Sequence, residues 1–170
     1  MPTRTLVSEK EYLQTSYEPD CEYRDGELVE RNVGTPSHSD IQALLITYFM
    51  RRRKAWNIHV FPEVRVRIRE GAYLVPDLAV LSGPKRVEPR VLTVPPLIWI
   101  EILSPDDKMI RVNRKVREVL ESGVPYVWVI DPETLESEVH TPQGSTTLTD
   151  GVFRIPNTPI EVPLSALEED

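Results

Sequence analysis

The chain has 170 residues, of which 40% are hydrophobic and 28% charged, with a formal net charge of −7; one globular domain with a real core is expected, and a disordered chain is excluded. No apolar run approaches the ~20 residues that span a bilayer, and Met1–Arg4 begins no apolar leader, so a cytoplasmic protein with no membrane partner is expected. The single Cys21 excludes an internal disulfide and a cysteine-based zinc site.

In chain order, Ser8-Glu9-Lys10-Glu11 has the form of a capping box and predicts a short helix to about Gln14. Asp25-Gly26, flanked by Tyr23, Leu28 and Val29, predicts a hairpin over Glu22 to Glu30. Ile41, Leu44, Leu45, Tyr48 and Phe49 recur at helical spacing and predict an amphipathic helix from about Ser37 to Ala55. Val60 to Arg69 alternates apolar and basic residues, which predicts one half-solvated strand that turns at Gly71 into a second, Tyr73 to Leu81. A proline-rich loop follows, then Leu97 to Leu103, apolar on both faces apart from Glu101, the pattern of a strand covered on both sides. Val112, Val116, Val119 and Leu120 predict a helix from about Asp107 to Ser122, stopped by Gly123. Tyr126 to Ile130 reads as a buried strand, parallel to the Leu97 strand because a helix connects the two. Short strands are expected at Leu135 to His140, Ser145 to Leu148, Gly151 to Ile155 and near Ile160. The fold class is therefore α/β or α+β: a mixed sheet flanked by helices, with an antiparallel C-terminal β addition. A single domain covers 1–170, with a core over about 9–132 and a β-rich acidic tail over 133–170.

Two acids stand out by context. Asp77 follows Pro76 inside an apolar strand, and Glu101 interrupts another. A buried lone carboxylate is costly, so each needs hydrogen-bond donors or a cation. Either each pairs with a nearby Arg or Lys, or the two converge on a hard divalent ion, which takes one or two carboxylates with water and phosphate. Lys115 borders the apolar stripe of the following helix, within reach of strand carboxylates. The net charge conceals an uneven distribution: residues 1–30 are net −5 and 131–170 net −8, whereas 31–130 hold 16 bases and 10 acids, net +6. The expectation is that the acidic ends face solvent or a partner subunit, while one basic face around Asp77 and Glu101 meets phosphate. Arg51, Arg52, Arg53 and Lys54 form a compact basic run at a helix end, read either as solvated charge or as a backbone-phosphate contact. His59 and His140 have no motif context and read as surface residues.

Pro76-Asp77 on one strand, then Glu101 on an apolar strand, then a basic helix, resembles the PD-(D/E)XK nuclease core. More closely, Leu74-Val75-Pro76-Asp77-Leu78-Ala79-Val80, Pro96 to Pro105, Gly123 to Pro132, the stretch Glu22 to Val29 and His38 before the long helix resemble the Uma-type family, described as putative restriction endonucleases. The resemblance runs from about Glu9 to Pro132. It implies a restriction-endonuclease-like fold and hydrolysis of phosphodiester bonds, expected in DNA, with Mg²⁺ or Mn²⁺ as cofactor. Asp77 and Glu101 match the metal-binding acids, with the Ile102 carbonyl as a further ligand. Leu103 replaces the usual lysine of the strand motif, and Lys115 matches the lysine that this family takes from the next helix. Arg111 and Val119 depart from the family, which usually has Asp and an aromatic there. Glu22, His38 and Glu63 are accessory candidates, and Arg51 to Lys54 with Arg114 are candidates for nucleic-acid contact. The facing of Glu63 depends on the loop at Glu70-Gly71, because one step of register flips every side chain: two loop residues place Val64 opposite Asp77, and three place Glu63 there. A homodimer is expected, since two antiparallel strands suit a two-fold pair of sites. The alternatives are a catalytically inactive member of the fold that acts as a nucleic-acid-binding or interaction module, and hydrolysis of another phosphate ester at the same site.

Overall fold

The computed structural model describes residues 6–84 and 89–168; Met1–Arg4, read above for a leader, lie outside them. The N-terminal segment is helix α1 (Glu9–Gln14) followed by strands β1 (Cys21–Arg24) and β2 (Glu27–Glu30). The Ser8 hydroxyl accepts from Glu11 N at 3.1 Å, as the capping box predicts. Asp25 and Gly26 both have positive φ and make the tight turn of the hairpin. Helix α2 (Pro36–Trp56) starts on Thr35, whose hydroxyl accepts from His38 N, and stops at Asn57 in the left-handed conformation.

Strands β3 (Ile58–Pro62), β4 (Val66–Arg69), β5 (Ala72–Leu74) and β6 (Leu78–Ser82) come next. The two long strands expected at Val60 to Arg69 and Tyr73 to Leu81 are therefore each broken in two. The break falls at Glu63, whose φ is 48°, and on the other strand at Pro76, which has no N–H for a ladder. As a result one bent hairpin serves two sheets: its tip, β4–β5, joins the β1–β2 hairpin in a four-stranded sheet of order β2-β1-β5-β4. Its stem, β3–β6, joins the main sheet. The loop has two residues, Glu70-Gly71, but a bulge between Arg67 and Arg69 adds one residue to the ladder. Pro62 therefore pairs with Leu78, and Glu63 N–H donates to Asp77 O at 3.3 Å, so Glu63 and not Val64 stands opposite Asp77.

Strand β7 (Ile98–Ile102), helix α3 (Met109–Glu121) and strand β8 (Tyr126–Ile130) form the crossover, with β7 and β8 parallel. Strands β9 (Ser137–Thr141) and β10 (Gly144–Thr147) complete a six-stranded sheet of order β10-β9-β8-β7-β6-β3. Alternation along β7 sorts its residues: Ile98, Ile100 and Ile102 face α2, while Trp99 joins the cluster that holds Val116 and Val119 of α3. The tail forms a separate pair, β11 (Val152–Arg154) and β12 (Glu161–Pro163), then a short turn of helix at Leu164–Leu167. Its Phe153, Ile155, Ile160, Val162 and Leu167 are buried in the same core as α2 and β7. Phe153 stacks on Trp128 with ring centroids 4.2 Å apart. Among the described residues no helix is long and apolar enough to cross a membrane.

Candidate active site

Leu78 pairs with Ile100, so the next step along each strand sets Asp77 opposite Glu101. Opposite residues of an antiparallel pair share a face; Glu101 there meets Lys115 of α3, and the Asp77 carboxylate meets His38 at the start of α2. Asp77 N–H donates to Ile100 O at 3.1 Å, and Asp77 O accepts from the Gln42 side chain at 3.0 Å, which pins the backbone. Asp77 is buried, and both its carboxylate oxygens are engaged. Its Oδ2 accepts from Ile102 N at 2.7 Å. Its Oδ1 lies 3.2 Å from Arg31 Nη2 and 3.2 Å from His38 Nε2. Burial pushes this carboxyl upward, but the His38 hydrogen bond and charge, with the Ile102 amide and Lys115, outweigh it and hold the group below the ordinary aspartate range. The same bond raises His38 above an ordinary histidine, against the opposing effect of its burial.

Glu101 Oε1 accepts from Trp99 Nε1 at 2.7 Å and from Lys115 Nζ at 2.7 Å. Its Oε2 takes no hydrogen bond among the described residues. Burial pushes Glu101 up to about 7; Lys115 opposes that, and the charges of Asp77 and Glu22 add to it. Lys115 uses all three donors, on Glu101, on Glu22 Oε1 at 2.6 Å and on Val75 O at 3.0 Å. Burial works against its ammonium, but Glu101 and Glu22 prevail and raise its pKa, so it stays charged. Glu22 Oε1 also accepts from Val75 N at 3.0 Å, which ties β1 to the segment just before Asp77.

These side chains line one cleft of about 900 Å³. Of the candidates read from the sequence, Asp77, Glu101, Ile102, Lys115, Glu22, His38 and Arg114 line it. The Glu63 carboxylate lies 3.6 Å from Arg31 and is 54% exposed. Arg114 is held by Glu118 at 2.9 Å, and Glu118 also bonds Arg24. Arg51 to Lys54 lie at the far end of α2, about 20 Å along the helix from His38. Arg52 there lies 3.6 Å over the Tyr48 ring. The sequence reading missed Arg31, which carries no signal, and the bond from Trp99 to Glu101. The i, i+2 spacing of Trp99 and Glu101 on one strand face was a usable clue.

The expectation of a basic face with the acidic N-terminal segment turned away is overturned. Glu22, Asp25, Glu27 and Glu30 are part of the cleft wall, and acids outnumber bases along it. The cause is strand pairing: β1 pairs with β5 at Tyr23 and Tyr73, four residues before Asp77, so the hairpin that carries those acids is built into the site.

Among the described residues no three His, Cys, Asp or Glu side chains form a ready-made metal cluster. The donor set nonetheless fits a hard divalent ion. Asp77 and Glu101 stand opposite each other in register, and Glu101 has an open oxygen and a carboxyl that burial pushes up to about 7.

The bent double sheet, the parallel β7–β8 crossover and the acid pair with a helical lysine define a restriction-endonuclease-like nuclease fold. A crystal structure described as a putative nuclease belonging to DUF820, from Anabaena variabilis ATCC 29413, has the same fold: TM-score 0.80 and 24% identity over 95% of this chain and 97% of that one. The Uma2 family, described as a putative restriction endonuclease, matches residues 9–166, and the chain belongs to it. No curated protein matches the chain.

Proposed function

We propose that this protein is a divalent-metal-dependent endonuclease that cleaves phosphodiester bonds in DNA, with Asp77, Glu101 and Lys115 carrying the chemistry. The supporting observation is the open Glu101 oxygen beside a fully charged lysine and a second carboxylate, on the floor of one cleft. Asp77, Glu101 and the Ile102 carbonyl would hold Mg²⁺ or Mn²⁺. Such an ion lowers the pKa of a bound water and offsets charge on the phosphate. Lys115, whose three donors rest on Glu101, Glu22 and Val75 O, would act through its charge on the oxygens where negative charge grows during displacement. Glu22 holds that ammonium in place from behind, and His38 orients Asp77. Arg111 and Arg114, at the cleft wall, supply contacts to backbone phosphates. The run Arg51 to Lys54 would meet phosphates only further along a bound strand. Cleavage of both strands calls for two such sites, hence a two-fold dimer.

The mixed charge of the cleft favours this reading over a binding module. Metal-free nucleic-acid binding needs a net positive face, and acids outnumber bases here.

The test is nicking of supercoiled plasmid with Mg²⁺ or Mn²⁺. The wild type converts it to open circles, and Asp77→Ala and Glu101→Ala each abolish the conversion. Undiminished nicking by both variants would sink the assignment.

A further inference from the structure

Arg31 sits where a metal ion needs room. It lies just past β2, and its side chain is 15% exposed. Asp77 Oδ2 is taken by the Ile102 amide, and Oδ1, which also faces His38 Nε2 at 3.2 Å, is the oxygen that a cation would use. Arg31 Nη2 is already there, at 3.2 Å. The other anchor of Arg31 is weak: Glu63 is half-exposed and 3.6 Å away, beyond hydrogen-bond length. The side chain also lines the cleft, as do Arg111 and Lys115. Arg65 makes the contrast. Its guanidinium is bound by Asp20, Tyr12 O and Thr15 O and lies 4.1 Å over the Tyr12 ring, so it has no donor to give away.

A guanidinium keeps its charge at any pH a protein meets. It cannot share one carboxylate oxygen with a divalent ion without strong repulsion. Resting on the nuclease reading above, we propose that Arg31 is a substrate-phosphate ligand parked on Asp77. A divalent ion and Arg31 compete for Asp77 Oδ1, and the displaced guanidinium turns to a phosphate in the cleft, where its fork matches two oxygens. Metal binding then adds an ion and an unpaired arginine to an acid-rich cleft in one step, so nucleic acid binds after the metal.

The experiment is calorimetric titration of Mn²⁺ alone into the full chain, followed by plasmid nicking at saturating Mn²⁺. Arg31→Gln binds Mn²⁺ tighter than wild type, by about 5- to 150-fold as for other coupled sites. It nicks more slowly, by about 10²- to 10³-fold, the scale of one lost donor to developing charge. Arg31→Lys keeps the charge and binds Mn²⁺ as wild type does. Arg31→Met, which keeps the aliphatic stem, repeats the measurement if Arg31→Gln does not fold. Unchanged or weaker Mn²⁺ binding by the neutral variant overturns the proposal, as does full nicking at saturation. Asp77→Asn separates the two levels. Loss of Mn²⁺ binding in it leaves the metal site standing even when the Arg31 variants behave as wild type, whereas undiminished binding removes the metal site and Arg31 together.

Discussion

At the scale of single residues, Glu101 and Asp77 show how two carboxyls of one site are driven apart. Burial pushes both upward; Asp77 has donors on both oxygens, which hold it below its ordinary value, whereas Glu101 has them on one, and burial pushes it up to about 7. The stability consequences have opposite signs. Glu101 is raised above its unfolded value, so its contribution is present below that value and lost as pH rises through about 7. Asp77 is lowered, so its contribution is lost only when pH falls through a value below the ordinary one. Metal binding requires the carboxylate form. Mn²⁺ affinity is therefore expected to rise with pH up to about 7 and then level off. Below that pH, binding releases a proton, visible in calorimetry as a heat that changes with the ionisation enthalpy of the buffer. Glu101→Gln should abolish that release, and a wild type with no release would remove this account.

At the scale of elements, the start of α2 is part of the site. Thr35 accepts from His38 N, and His38 in turn meets Asp77. Thr35→Ala should lower stability by about 1 kcal/mol, the usual worth of such a cap. It should also weaken Mn²⁺ binding through His38, which pairs the melting temperature with a metal titration. A drop in melting temperature with unchanged Mn²⁺ binding would make the cap structural only. The bent hairpin carries a second lesson. Its turn was readable at Glu70-Gly71, but neither the loop length nor the bulge was, because both depend on how two strands settle against their neighbours. That one extra residue set Glu63 opposite Asp77. Gly71, with φ 72° and space only 2.8 Å from Asp25 Oδ1 where a Cβ would sit, keeps the turn this tight.

At the scale of the whole molecule, the tail is a structural part of the core. Phe153 is fully buried against Trp128, and Val162 and Leu167 close the same face of the main sheet. Phe153→Ala should cost about 3–5 kcal/mol, the range for a large aromatic removed from a packed core. Denaturant unfolding measures it, and a loss below about 1 kcal/mol would mean that the tail is a detachable surface layer. The charge pattern belongs to this scale too. Segment totals of −5, +6 and −8 describe the chain, yet the cleft draws Glu22, Asp25, Glu27 and Glu30 from the acidic first segment.

Periodicity and turn chemistry alone determine most of the elements, because they are local: the α2 stripe, the Asp25-Gly26 turn and the crossover that makes β7 and β8 parallel. Asp77 and Glu101 are legible as unusual for the same reason, an acid in an apolar run being a local anomaly. Arg31 on Asp77, the third donor of Lys115 on Val75 O and the acidic cleft wall are not legible. They depend on which distant strands pair and in what register, and a register is chosen by the packing of the whole sheet, which no local window of sequence contains.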